Sequence, residues 1–416
     1  MAARRSSSAS PRSGSSCRFR GRRWNEVHGT MRLLIAGGGT GGHIYPALAV
    51  ARSLSDPDRG ARDKVELTWL GGHRGLERSI VRAAGIPIRR LALRSLRTVD
   101  RDVHAVLDPI RLGVSVPQAA AILATERPAA IFTTGGYVAI PVLLAAASLR
   151  VPVVLWEGNV VPGRSVRVTA RLASVLAVSF EATCAALGAD ATCYITGTPI
   201  RDVRDVDREA ARKRLGVAAD GRVLLVFGGS QAVRRFNAAV AGALPRLVER
   251  LHVIHVTGEE GYRSALAARE ALPAGVRDRY RPHPFLRDEM LNALAAADLV
   301  VGRAGSSTLA EVTALGLPMV VVPYPHAAGH QRANARVLAD AGAARLVEDE
   351  AFDADALLDA AAILDDPAVH AAMSAAARSL GRPAAAQAVA DLVLALAERR
   401  PLPDPAVVER RSRTAG

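Results

Sequence analysis

The chain has 416 residues, 50% of them hydrophobic and only 4% aromatic, with a formal net charge of +14. That length can bury two ordinary cores, and an Ala-, Val- and Leu-rich apolar mass suits helices packed on parallel sheets. Residues 1–30 carry +6 and residues 399–416 carry +3, which leaves a body of only +5. With no reading helix and no aromatic-interleaved basic patch beside those tails, nucleic acid is excluded as a partner, whereas attraction to an anionic membrane surface fits. No run approaches the roughly eighteen uninterrupted apolar residues of a membrane span, and the best stretch, 138–149, contains Pro141. Cys17, Cys184 and Cys193 show neither metal-ligand spacing nor a disulfide framework, so a reducing compartment is expected.

Residues 1–30, rich in Ser, Arg and Gly, read as a disordered basic extension or as a start placed too early, since Met31 opens the first apolar run. From there β and α segments alternate. Strands are expected at 32–36, 65–70, 130–133, 151–156, 175–179 and 193–196. A break at Gly197-Thr198-Pro199-Ile200-Arg201 leads to a second series at 222–227, 252–257, 299–302 and 318–323. Two such series imply an α/β chain of two doubly wound domains, 31–199 and 200–397, facing across a cleft. The segment 398–416 is expected to be a disordered tail.

Ligands of doubly wound sheets sit beyond the carboxyl ends of the strands. The first strand runs into Gly37-Gly38-Gly39-Thr40-Gly41-Gly42-His43, a loop whose N–H groups can approach an anion closely, and Pro46 then suits a first helical turn. Gly37, Gly39 and Gly42 satisfy the dinucleotide fingerprint, but the second strand ends in Gly71-Gly72-His73 without the carboxylate that a NAD ribose needs. In the second half, Phe227 leads into Gly228-Gly229-Ser230-Gln231, where Ser230 can bond a phosphate oxygen. The strand ending at Gly302 leads into Arg303-Ala-Gly-Ser306-Ser307-Thr308-Leu-Ala-Glu311, in which Ser306 or Ser307 can cap a helix and Glu311 can accept from a ribose diol. His330, Gln331 and Asn334 offer groups suited to sugar hydroxyls, and Gly329 between His326 and His330 argues against a helical metal pair. The Asp-x-Asp triplets at 56–58 and 205–207 lie in polar loops and read as solvated surface.

These stretches resemble the MurG family, the UDP-N-acetylglucosamine:lipid-linked N-acetylmuramoyl-pentapeptide N-acetylglucosaminyltransferases of peptidoglycan synthesis. The likeness is carried by GGGTGGHIYPALAVA (37–51), TGGYVAIP (134–141), EGNVVPG (157–163), TGTPIR (196–201), FGGSQ (227–231), RAGSSTLAEV (303–312), GLPMVVVPYP (316–325) and HQRANA (330–335). It implies a GT-B fold and an inverting, metal-independent transfer without cofactor from UDP-GlcNAc to the 4-hydroxyl of undecaprenyl-diphospho-N-acetylmuramoyl-pentapeptide, at the cytoplasmic face of the plasma membrane. By the same resemblance Arg201, Phe285 and Leu286 surround the uracil and Glu311 holds the ribose. Ser230, Ser306, Ser307 and Thr308 surround the diphosphate; His330, Gln331, Asn334 and Asn159 read the GlcNAc, with Thr40, Gly41 and Gly42 on the donor's other side. Gly38, Gly39, Gly135, Gly136 and Tyr137 take the acceptor diphosphate, and His43 is the candidate general base.

The chain departs from the family at Trp156 and Gly158, where His and Gln are usual, at Ala232 in place of glycine, and at Thr198 in place of Asn. The lipid acceptor gives meaning to Arg89, Arg90, Arg94, Arg97 and Arg101, which precede the apolar Val103, Val106, Leu107, Ile110 and Leu112 and suit docking on anionic lipid. Other wall-synthesis proteins are candidate partners. The alternatives are a related transferase with another lipid or natural-product acceptor, a UDP-GlcNAc 2-epimerase, and a non-catalytic sugar-nucleotide-binding module.

Overall fold

The computed structural model describes residues 30–56, 64–72, 77–93, 104–188, 192–204, 206–218, 220–229, 233–286, 289–327 and 329–414. The expected extension before Thr30 lies outside the described residues, as do Arg94, Arg97, Arg101, Val103, Asp205, Ser230, Gln231 and Ala232, and the side chains of Val106 and Leu107.

The first sheet comprises β1 (Thr30–Ala36), β2 (Lys64–Gly71), β3 (Ile88–Arg90), β4 (Ala130–Thr133), β5 (Val153–Glu157), β6 (Val175–Val178) and β7 (Thr192–Ile195). Its order is β3-β2-β1-β4-β5-β6-β7, and every pairing is parallel. The second comprises β8 (Val223–Phe227), β9 (His252–Val256), β10 (Tyr280–His283), β11 (Leu299–Gly302), β12 (Met319–Val321) and β13 (Ala344–Leu346). Its order is β10-β9-β8-β11-β12-β13, again parallel throughout. Every residue of β4, β5, β6, β8, β11 and β12 is buried, because helices cover both faces. That is why these strands read as unbroken apolar runs.

Strand order reverses between β1 and β4 in one sheet and between β8 and β11 in the other. Crevices open at such switch points. The glycine loops that follow β1, β4, β8 and β11 therefore all lie where a ligand can reach backbone N–H groups.

The helix Ala385–Ala397 leaves the second domain and places Val389, Leu392 and Val393 in the first domain's core. The stretch Pro367–Ala397 is long and apolar enough to cross a membrane by composition, and that core packing accounts for its character. Beyond it, the expected disordered tail is corrected. A helix spans Pro405–Arg413, opened by Asp404, whose carboxylate accepts from Ala406 N. Its Val408 is buried in the first domain's core, and Tyr194 Oη donates to Pro403 O at 2.9 Å. Arg382 pairs with Glu409 at 2.8 Å. One apolar anchor in a polar segment carries too little hydrophobic pattern to be seen before the docking surface is known.

The cysteine expectation is also corrected. Cys184 and Cys193 form a disulfide between the helix Glu181–Leu187 and β7. With those two paired, the spacing argument for a reducing compartment loses its basis.

Candidate active site

On the first domain's side, β1 delivers the loop 37–40 and the helix Gly41–Leu54. Gly39 adopts φ +100°, and a Cβ there would lie 3.1 Å from the Tyr137 ring that covers it. Gly135 and Gly136 after β4 also have positive φ, at +79° and +75°. These left-handed turns let two loops run side by side with their backbones facing the cleft. His43 lies between them. Its Nδ1 is 2.8 Å from Thr134 O, and Thr134 Oγ1 donates to His43 O at 3.0 Å. A carbonyl only accepts, so Nδ1 must carry the proton and the lone pair of neutral His43 sits on Nε2. That nitrogen flanks Gly136, whose added Cβ would meet it at 3.6 Å.

On the second domain's side, β11 delivers the helix Ser306–Ala314. Its cap is Gly305 rather than the expected Ser306 or Ser307, and neither Gly305 nor Thr40 makes a side-chain cap bond among the described residues. Asp207, Asp353, Asp366 and Asp404 do cap their own helices. The uncapped Gly41 and Ser306 helices touch across the cleft. Each directs unpaired N–H groups and the positive end of its dipole to the same space. Ser307 Oγ is buried there without a partner among the described residues, and Thr308 lies in the same half-exposed first turn.

Glu311, on the next turn, is not engaged in a capping box. Its Oε1 accepts from Arg201 Nε at 2.7 Å, which joins the interdomain segment to the helix. The structure thus brings together two residues 110 positions apart that the family resemblance placed on one nucleoside. In the same domain a cavity of about 640 Å³ opens over the ends of β8 and β9, lined by Phe227, Val256, Phe285, Leu286, Met290 and Tyr324. Phe285 is 53% exposed, a flat apolar face suited to a base, while Leu286 is buried beneath. Arg303 forms the floor. Its guanidinium pairs with Asp349, donates to Val322 O and Pro323 O, and lies 4.7 Å from the Phe236 ring centroid. Met290 and Asp349 were not legible as site residues because neither belongs to a recognisable motif, and Tyr324, although within the stretch 316–325, carried no pattern that assigned it a role.

The predicted sugar-reading group is divided. His330 Nδ1 donates to Val161 O across the cleft at 2.8 Å, and Gln331 Oε1 accepts from Tyr324 N at 2.9 Å. Asn334 is a correction. It is fully buried, and its amide donates to Asn159 Oδ1 at 3.0 Å and to Ala304 O while accepting from Val160 N at 3.0 Å. It joins the domains and presents no free edge to a sugar. Beneath it the buried carboxylate of Glu157 accepts from Asn159 N, Asn159 Nδ2 and Gly163 N, all at 2.9 Å, and so shapes the loop 158–163. Ser230 lies outside the described residues.

Two facing parallel sheets with glycine loops at both switch points define a GT-B glycosyltransferase fold. Residues 33–178 match the glycosyltransferase family 28 N-terminal domain and residues 223–391 the glycosyltransferase family 28 C-terminal domain. A relative from Desulforudis audaxviator, the UDP-N-acetylglucosamine–N-acetylmuramyl-(pentapeptide) pyrophosphoryl-undecaprenol N-acetylglucosamine transferase, is 38% identical over 88% of this chain and 99% of its own length. The crystal structure of Acinetobacter baumannii MurG superposes with a TM-score of 0.69 at 30% identity, covering 88% of this chain and 99% of that one. The glycotransferase of kitacinnamycin shares the fold alone, with a TM-score of 0.64 at 18% identity over 88% of this chain and 99% of that one. The chain belongs to the MurG family within glycosyltransferase family 28.

Proposed function

We propose that this enzyme transfers GlcNAc from UDP-GlcNAc to the 4-hydroxyl of undecaprenyl-diphospho-N-acetylmuramoyl-pentapeptide, with inversion at the anomeric carbon. The observation that carries the reading is the contact between two helices with uncapped N-termini, one from each domain, with His43 in the first turn of one and the Arg201–Glu311 pair on the other. The uridine lies in the cavity against Phe285 and Leu286, and the ribose hydroxyls bond to Glu311. The diphosphate sits at the Ser306 helix, whose N–H groups stabilise the charge that develops on the leaving UDP. The acceptor diphosphate rests on the loops 38–42 and 135–136 beside Tyr137. His43 Nε2 takes the proton of the attacking hydroxyl, and its hydrogen bond to Thr134 O steadies the imidazolium that results.

An acceptor embedded in a bilayer requires the first domain to approach lipid. Of the predicted docking surface, Ile110 on the helix His104–Glu126 is 57% exposed, whereas Leu112 packs against the first domain's core; Val114, one turn beyond Ile110, adds an apolar side chain 55% exposed. Arg89, assigned to the basic cluster, pairs with Glu126 at 2.7 Å on the same side. The enzyme accordingly works as a peripheral protein on the cytoplasmic face of an anionic membrane.

The test is one incubation of labelled UDP-GlcNAc with and without the lipid-linked muramoyl acceptor. Label should enter lipid only when the acceptor is present. Interconversion of the donor without acceptor favours an epimerase, transfer only to a different lipid or small molecule favours a related transferase, and UDP binding without turnover favours a binding module.

A further inference from the structure

We propose that Trp156 and Gly158 form a size-matched pair that sets how closely the Ser306 helix approaches the first domain, which makes Trp156 a positioning residue for the donor diphosphate. Trp156 is the penultimate residue of β5 and is 2% exposed, packed in the first domain's core. Its Nε1 donates to Gly197 O at 3.0 Å, in the segment between the domains. Gly197 itself has φ +85° and is wedged against Arg382, whose Cδ would meet an added Cβ at 2.7 Å. The indole is thus fixed from behind by the interdomain connection and cannot retreat.

On its other face the ring presses on Gly158. A Cβ at 158 would lie 2.4 Å from Trp156 Cη2, 2.8 Å from Cζ2 and 2.9 Å from Ser306 Oγ. Gly158 does not have a positive φ, so glycine is required here for space and not for backbone conformation. Position 158 therefore has no room for a side chain between the ring edge and the Ser306 hydroxyl. Ser306 is the first residue of the helix whose N–H groups face the cleft. A methyl group at 158 must push back both the ring edge and the Ser306 hydroxyl, and with the indole held at Gly197 it should move that helix end by up to about 1 Å. A shift of that size at a charge-stabilising dipole costs on the order of 100-fold in rate.

The rate readout rests on the transferase reading, whereas the binding readout does not. Gly158→Ala should lower kcat roughly 100-fold while the melting temperature changes little, and should weaken UDP binding about tenfold by calorimetry. Trp156→His shortens the ring, removing the Cη2 and Cζ2 carbons that crowd position 158, and retains an N–H for Gly197 O. In the double variant the methyl group then has room, and kcat and UDP affinity should return to within about threefold of Trp156→His alone. A silent Gly158→Ala overturns the proposal. So does a double variant that loses the product of the two single effects, or a rescue seen in melting temperature without one in kcat and UDP affinity. If the wild-type protein transfers no GlcNAc, the transferase reading fails by itself, and the pair stands or falls on UDP affinity.

Discussion

Asn334 offers the most direct measure of how firmly the two domains are joined. Replacing it with Ala removes its bonds to Asn159 Oδ1 and Ala304 O and strands the Val160 N–H, at a site where Asn334 itself is fully buried and Asn159 and Val160 are half-buried. Two ordinary hydrogen bonds contribute about 1 kcal/mol each, and a half-buried donor left without a partner falls in the lower part of the roughly 1–3 kcal/mol range, so the loss is about 3–4 kcal/mol. Spread over the unfolding entropy of a chain this long, that lowers the melting temperature by about 4 °C if the domains melt together. Asn334→Asp separates the contributions. One carboxylate oxygen can still accept from Val160 N, but the other now faces Asn159 Oδ1 and Ala304 O, so this near-isosteric change should destabilise at least as much as Ala. Differential scanning calorimetry reads both variants, and the single transition should broaden or split as the domains uncouple. A loss below about 1 kcal/mol, or an Asp variant as stable as wild type, would show that these bonds are not what joins the domains.

Truncation after residue 397, or Val408→Asp alone, should lower the melting temperature by several degrees, since either removes Val408 from the first domain's core; an unchanged melting curve refutes a docked C-terminal helix. His43→Ala should cut kcat by about 100- to 10,000-fold with UDP affinity unchanged, whereas Glu311→Ala should weaken UDP binding and free the Arg201 side chain from its partner. If the two variants exchange those signatures in single-turnover and calorimetric assays, the division of roles is wrong. Burial pushes His255 from 6.5 down to about 3, so it stays neutral in the fold, hydrogen-bonded through Nδ1 to Tyr280 Oη. Between those values the unfolded chain takes a proton that the native one refuses. Stability is then full above about pH 6.5 and falls by roughly 1.4 kcal/mol per unit of acidification. His255→Phe should flatten that dependence by one proton in denaturant titrations, and equal slopes for the two proteins refute the assignment.

The sequence showed the parts of the fold and site that depend on local pattern. Buried strands such as β5 and β8 appear as apolar runs because both faces are covered, and the glycine loops appear because a left-handed turn admits few other residues. The edge strands β3, β10 and β13 were missed. Each is short and partly exposed, and Arg89, Pro282 and Arg345 within them break any apolar run. Long-range pairings were equally hidden. His43 was legible as a candidate base, but its tautomer depends on Thr134, 91 residues away. Trp156 and Gly158 appeared as two separate departures from the family pattern, and only the packing distance shows that one accounts for the other. Asn334 looked like a sugar-binding amide because its type and spacing suited one, and only its burial reveals that its bonds are already taken.

The arrangement of contacts also constrains how the cleft can move. Asn334 with Asn159 and Val160, and His330 with Val161, tie the domains at the floor. Trp156 holds the connecting segment at Gly197, and the helices Ala385–Ala397 and Pro405–Arg413 bind the back of the first domain. A molecule restrained at floor and back can open only toward its mouth, where Tyr45 and Phe285 are exposed. The separation between the His43 side of the cleft and the Ser306 helix is then largely set before substrates arrive. Two diphosphates, one soluble and one attached to lipid, would ordinarily repel as they approach. In the proposed function, helix dipoles held at that spacing would offset the repulsion without reorganising at the moment of transfer, which is the condition under which such dipoles lower a barrier most. Rigidity at the floor and reactivity at the mouth are thus one design, and loosening the floor should lower kcat even where every residue that touches substrate is unchanged.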